Sequence, residues 1–170
     1  MPASADDSDV DAFMSRDRVE LFNYHSLLWA VVKGASTANL APAVQWRYEH
    51  NAVSNDIMVN EYESGNYVRI KPAHTFSDDG NPHNDMCLAV KGAAYNDEAV
   101  VVQATCTYDD VNNDVWVWTR VPGFTTPDWV TLKNLRSGKC LVVKGGSKEQ
   151  GAPLIQFTCN GSDNSIWRVY

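Results

Sequence analysis

The residues best able to do chemistry are four cysteines, four histidines and two acidic runs. Cys87 and Cys106 stand 19 positions apart, and so do Cys140 and Cys159. No CxxC spacing occurs, which argues against a zinc knuckle or a dithiol redox motif. Cross-linking is the chemistry left to such pairs. Four cysteines allow three connectivities, and the equal separations favour Cys87–Cys106 with Cys140–Cys159. Disulfides persist in oxidising compartments, so the chain reads as secreted. The alternative is a cytosolic chain with four reduced, buried thiols. His25, His50, His74 and His83 share no metal-ligand spacing. There is no Gly-x-Ser-x-Gly elbow and no phosphate loop. Asp78, Asp79 and Asp85 share a loop with His74 and His83, and Asp109, Asp110, Asn112 and Asp114 form a second acidic run. Solvated surface loops are expected at both. The expectation is a non-catalytic chain with no metal and no cofactor.

The elements that carry these cysteines repeat. Val32-Lys33-Gly34, Val90-Lys91-Gly92 and Val143-Lys144-Gly145 are each followed, 12 residues after the lysine, by Gln45, Gln103 and Gln156. Three residues beyond each glutamine stand Tyr48, Cys106 and Cys159, and four before each lysine stand Trp29, Cys87 and Cys140. The first repeat thus has an aromatic pair where the others have cysteine pairs. Matching positions within one repeat should touch, which supports the proposed disulfides independently of their spacing. Upstream lie Val19-Glu20-Leu21, Val68-Arg69-Ile70 and Val130-Thr131-Leu132, alternating as strands do. The second repeat carries an insertion of nine within Pro72 to Met86, around the turn-rich run Ser77 to Pro82. Downstream come Asn55-Asp56-Ile57-Met58, Asn113-Asp114-Val115-Trp116 and Asn164-Ser165-Ile166-Trp167.

Each repeat reads as four short strands, in the third near Val130–Lys133, Cys140–Val143, Leu154–Phe157 and Ile166–Val169. Such units cannot bury a face alone and must share a core about a pseudo-threefold axis. The expected fold is all-β, a β-trefoil with repeats over about 18–62, 66–118 and 128–170. Leu28, Leu88, Leu141, Ile57, Val115, Ile166, Trp116 and Trp167 are the core candidates. Residues 1–17 precede the first repeat as an acidic N-terminal arm, with Val10, Phe13 and Met14 at helical spacing. The opening run MPASADDSDVDAF lacks a basic stretch followed by an apolar one. An export signal is therefore expected to be missing from a mature chain bearing an added Met.

The threefold pattern Cys-Leu-x-Val-Lys-Gly … Gln-x-x-Cys … x-x-Trp resembles the ricin B-type β-trefoil lectins, also called R-type lectins or family 13 carbohydrate-binding modules. The resemblance spans about residues 18–170 and is strongest over Cys140–Trp167. It implies a sugar site in each repeat: an aspartate two residues after the first cysteine, an aromatic two before the second, and an asparagine three before the closing tryptophan. The aspartate positions hold Val31, Ala89 and Val142, none able to accept a hydroxyl hydrogen bond. The aromatic positions hold Trp46, Ala104 and Phe157, and the asparagines are Asn55, Asn113 and Asn164. The family's Gln-x-Trp glutamine is replaced by Asp56, Asp114 and Ser165, and Met58 stands for the first tryptophan. The second repeat has lost both anchor and platform. Trp46 with Asn55 and Phe157 with Asn164 are the candidate carbohydrate-binding pairs.

Composition narrows the partners. With 14 Lys+Arg against 21 Asp+Glu, the chain is a poor match for phosphate backbones, so no nucleic acid is expected. No run of about 18 uncharged apolar residues exists, so no membrane insertion by a spanning helix is expected. Loss of all three aspartates favours a degenerate trefoil serving as a protein-binding adaptor in a secreted assembly such as a toxin complex. Its partner would be another secreted subunit. Val10, Phe13 and Met14 of the arm, and Phe76 of the insertion, are the candidate anchors for that partner. The competing expectation is a lectin that binds a glycan through altered sites in the first and third repeats. Asn160-Gly161-Ser162 matches a glycosylation sequon, but a turn between strands explains it equally.

Overall fold

The computed structural model describes residues 18–49, 55–77 and 79–170. The arm residues Val10, Phe13 and Met14 lie outside the described residues. Three repeats of four strands follow in chain order: β1 (Arg18–Asn23), β2 (Trp29–Val32), β3 (Ala43–Trp46) and β4 (Ile57–Ser64); β5 (Tyr67–Pro72), β6 (Met86–Val90), β7 (Val101–Thr105) and β8 (Val115–Arg120); β9 (Trp129–Asn134), β10 (Cys140–Val143), β11 (Leu154–Phe157) and β12 (Trp167–Val169). The first and last strands of each repeat close a six-stranded antiparallel barrel. β1 pairs with β4 and β12, β5 with β4 and β8, and β9 with β8 and β12. The middle strands form three hairpins, β2–β3, β6–β7 and β10–β11. This is a β-trefoil, as the repeat pattern predicts.

Alternation along the barrel strands decides what is buried. Val19 and Leu21, Val68 and Ile70, and Val130 and Leu132 face one core, which the hairpins close with Ala30, Leu88 and Leu141. Met58, Trp116 and Trp167 occupy equivalent core positions. Each tryptophan needs a partner for its buried N–H: Trp116 Nε1 donates to Leu88 O at 2.8 Å and Trp167 Nε1 to Leu141 O at 3.0 Å. Methionine in the first repeat has no such requirement. Two expected core residues are displaced. Leu28 and Ile57 are half-buried, and Ala30, two positions later, and Met58, one position later, take the core instead.

The repeated motifs are structural devices. After each Val-Lys the chain turns through two left-handed residues: Gly34 and Ala35, Gly92 and Ala93, Gly145 and Gly146, with φ between 50° and 64°. A side chain at the first of each pair would be strained, which explains the glycine. The asparagine of each repeat brackets the same turn. Asn55, Asn113 and Asn164 donate through Nδ2 to the carbonyls of Val32, Val90 and Val143 at 3.1, 2.9 and 2.8 Å.

The glutamines join one repeat to the next. Gln45 Nε2 donates to the carbonyls of Ser147 and Glu149 in the third repeat. Gln103 Nε2 donates to Ser36 and Ala38 in the first, and Gln156 Nε2 to Ala94 and Asn96 in the second. All three side chains are fully buried. Backbone bonds flank each contact, such as Leu40 N to Gln103 O and Gln103 N to Ala41 O. Gln103→Ala would leave two carbonyls without that donor. We expect it to lower the unfolding free energy by about 2–4 kcal/mol, read as a lower urea midpoint at unchanged slope.

Candidate functional site

The outer faces of the three hairpins are where the repeats differ. In the first, the cross-strand pair Val31 and Val44 forms the floor of a cavity of about 450 Å³. The Lys33-Gly34-Ala35 turn makes one rim, and among the described residues Trp46, Arg47, Glu49, Asn55 and Asp56 also line it. Trp46 is 37% exposed. Its Nε1 donates to Glu49 Oε1 at 3.0 Å, and its ring lies close over Gly151 of the third repeat. Arg47 Nε donates to the same Glu49 oxygen at 3.2 Å. The aromatic wall is therefore held from two sides and still open to the cavity.

Asp56 is the unusual member. It is 8% exposed, and its side chain has no hydrogen-bond or ion-pair partner among the described residues. Its charge is felt nearby: the Glu20 carboxylate most, then burial and Asp56, push the Tyr48 phenol above its ordinary value. A carboxylate on the wall of a cavity can accept hydrogen bonds from a ligand that enters it. Asp56, Glu49 and Lys33 are functional candidates that sequence reasoning missed. The signal was present at Asp56, a carboxylate replacing the family's glutamine.

The second repeat is filled by protein. Ala89 and Ala104 occupy the anchor and platform positions, and the outward side chains of β5 are cations. Lys71 is 2% exposed, and it pairs with Glu61 and with Asp85 at 2.9 Å. Burial works against its charge, but the two carboxylates and Tyr108 outweigh that and hold it well above its ordinary value. Arg69, 3% exposed, pairs with Glu63 and sits 3.6 Å from Asp114, under the Tyr108 ring at 4.4 Å. Burial pushes the Asp114 carboxyl up, against the Thr107 N–H donating at 2.7 Å and the Arg69 charge. The insertion supplies Asp85, whose other oxygen accepts from Ser77 N. Its Phe76 is 36% exposed, with the Lys71 ammonium 5.7 Å from its ring centre.

In the third repeat the two candidates have different neighbours. Phe157 packs on Cys140, Val142 and Ile155. Asn164 spends its amide on Val143, and its oxygen accepts from Ser162 Oγ at 2.7 Å. A smaller cavity of about 230 Å³ lies beside Asn164, lined also by His25, Gly146, Ser162 and Asp163. Both disulfides, Cys87–Cys106 and Cys140–Cys159, are present. At the equivalent place in the first repeat, Trp29 and Tyr48 lie 5.4 Å apart between ring centres.

With twelve strands, a closed barrel and three capping hairpins in place, the comparisons agree on one fold. Residues 112–170 match the family model described as a ricin-type beta-trefoil lectin domain-like domain. The chain is a β-trefoil, and its last third is similar to the ricin-type lectin domains. No curated protein matches it by sequence. The designed threefold-symmetric protein ThreeFoil superposes with a TM-score of 0.77 at 25% identity, covering 91% of this chain and 98% of that one. The exo-beta-1,3-galactanase 1,3Gal43A of Clostridium thermocellum does so at 0.76 and 22% identity, over 91% of this trefoil but only 30% of the enzyme chain. The ricin B-like lectin of Macrolepiota procera, solved with lactose, gives 0.63 at 13% identity over 89% of this chain and 93% of the lectin.

Two substitutions test the assignments in the filled repeat. Asn113→Ala should cost about 1–3 kcal/mol by freeing the Val90 carbonyl. Lys71→Met should cost about 3–5 kcal/mol, because it strands the buried Asp85 carboxylate. Both are read by chemical denaturation.

Proposed function

We propose that this trefoil is a secreted, non-catalytic glycan-binding module that works through the first repeat alone. One observation carries the reading: a half-open tryptophan, Trp46, and a carboxylate, Asp56, line the same cavity. An aromatic face suits the apolar face of a sugar ring, and a carboxylate accepts sugar hydroxyls with charge assistance. Asp56 takes over the acceptor role that Val31 cannot fill. Asn55 supports the turn and shapes the cavity. The lactose complex of the Macrolepiota lectin is consistent with a sugar ligand for the fold. Two disulfides fit an oxidising, extracellular setting.

A second reading, the protein-binding adaptor, is favoured by a separate feature. Tyr24, Phe124 and Trp129 pack with ring centres 4.9 to 5.3 Å apart, and Tyr24 is 39% exposed. Aromatic residues of this kind anchor protein interfaces. In that reading the trefoil is a scaffold, and deletion of residues 1–17 abolishes capture of a subunit from culture supernatant.

A glycan array separates the two. Trp46→Ala and Asp56→Asn should each lower glycan binding at least tenfold while thermal unfolding stays cooperative. Phe157→Ala should leave binding within twofold. An array on which the parent protein is blank rejects the glycan-binding reading.

A further inference from the structure

We infer that Gly151, a third-repeat residue, is a positioning residue of the first-repeat site. Its lack of a side chain lets the Trp46 ring lean across the repeat junction and stand as the cavity wall. The inference rests on the glycan-binding reading above and deepens it, because it makes the site the joint product of two repeats.

The three repeat junctions share one backbone bond. Gly151 N donates to Gln45 O at 2.8 Å, Leu40 N to Gln103 O at 2.8 Å, and Glu98 N to Gln156 O at 2.9 Å. Each acceptor immediately precedes the residue at the aromatic position, which is Trp46, Ala104 or Phe157. Gly151, Leu40 and Glu98 are all left-handed, with φ of 81°, 65° and 67°. That conformation favours glycine. Leucine and glutamate nevertheless hold it at two junctions, so the backbone alone does not call for glycine at the third. Space supplies the reason. A Cβ at position 151 would lie 3.5 Å from Trp46 Cζ3, in ordinary van der Waals contact. A longer side chain leaving that Cβ in the same direction runs into the ring. The aromatic positions differ accordingly. Opposite Gly151, Trp46 leans over its neighbour and stays 37% exposed. Opposite Glu98, Phe157 packs instead on Cys140, Val142 and Ile155 of its own repeat. Opposite Leu40, the position holds only Ala104. Glu49 anchors the Trp46 indole N–H from the first-repeat side at 3.0 Å. The ring is thus set by one residue from each of two repeats.

The test compares Gly151→Ala with Gly151→Leu in the full chain. Both variants place a side chain on the left-handed backbone, but only leucine reaches past van der Waals contact into the ring. The protein is labelled with fluorotryptophan, and Trp46→Phe identifies the Trp46 signal among six tryptophans in the fluorine NMR spectrum. Gly151→Leu should shift that signal and leave those of the buried Trp116, Trp118 and Trp167 in place. It should also weaken binding of the tightest glycan on the array by roughly tenfold or more. Gly151→Ala should keep binding within about threefold of the parent. If the leucine variant fails to fold, Gly151→Glu, which matches the residue at the second-repeat position, reads the same effect. An unmoved Trp46 signal or unchanged binding in Gly151→Leu overturns the inference and leaves the glycan-binding reading standing. So does an equal loss in the alanine and leucine variants, which traces the effect to the backbone. A parent that binds no glycan on the array overturns both.

Discussion

The buried amide of one glutamine per repeat is the constraint on which this molecule depends. A hairpin such as β2–β3 has an inner face that fits the barrel core but no means of holding its neighbour. Gln45, Gln103 and Gln156 supply it by reaching into the turn of the adjoining repeat and donating to two carbonyls there. The links run in a closed cycle, first repeat to third, third to second, second to first. Buried donors and acceptors in such a cycle are satisfied only when all three repeats are in place, which ties a repetitive chain to one closed arrangement. The cycle is not uniform. Gln156 Oε1 also accepts from Ser137 Oγ at 2.6 Å, while the corresponding oxygens of Gln45 and Gln103 have no such partner among the described residues.

Because the inner faces and glutamine links carry the fold, the outer faces are free to diverge. Each repeat ties the ends of its hairpin differently. The second and third use a disulfide, and the first uses a ring contact between Trp29 and Tyr48 that extends to Phe22 and Tyr170. The insertion enters where one link is missing. Asn23 and Asn134 each donate through Nδ2 to the backbone of a neighbouring repeat, at Asn164 and Asn113. The matching residue on β5 is Pro72, which has no side-chain amide, and the extra residues begin immediately after it. They return Asp85 to Lys71 and so cover the outer face of β5 with charge pairs.

Much of this was legible in the residues, and the illegible part has a physical cause. Period-two alternation and the spacing of Val-Lys-Gly, glutamine and asparagine define the repeats, and the hairpin strands Cys140–Val143 and Leu154–Phe157 match their expected bounds. The equal cysteine separations identify the disulfides. Ile57 and Met58 lie on opposite faces of β4, since one residue exchanges the two faces of a strand, and Leu28 lies just before β2, whose Ala30 enters the core. The glutamines were visible as a pattern but not as a link, since their partners are backbone carbonyls of residues that share no side-chain signature. Trp46 and Asn55 were found through the family pattern. In the sequence Asp56 reads only as a replaced glutamine, because its place on a cavity wall is a property of three-dimensional placement.

Placement separates the carboxylates of the first and second repeats, since Asp56 lines a cavity and Asp114 is covered by protein. Asp114, the counterpart of Asp56, accepts from Thr107 through Oδ2 and lies 3.6 Å from Arg69, while its Oδ1 is buried without a hydrogen-bond partner. Ser165 in the third repeat turns its hydroxyl back to the Ser162 carbonyl at 2.6 Å. At the position matching Thr107 the first repeat has Glu49, which carries a charge of the same sign as Asp56 and binds Trp46 and Arg47 instead. Two like charges cannot satisfy each other, so Asp56 is left facing a cavity whose floor offers it nothing. Binding sites are commonly places where a fold leaves a local requirement unmet. On the glycan-binding reading proposed above, Asp56 beside the Trp46 face would take the hydroxyls of a sugar on one edge while the ring takes one face.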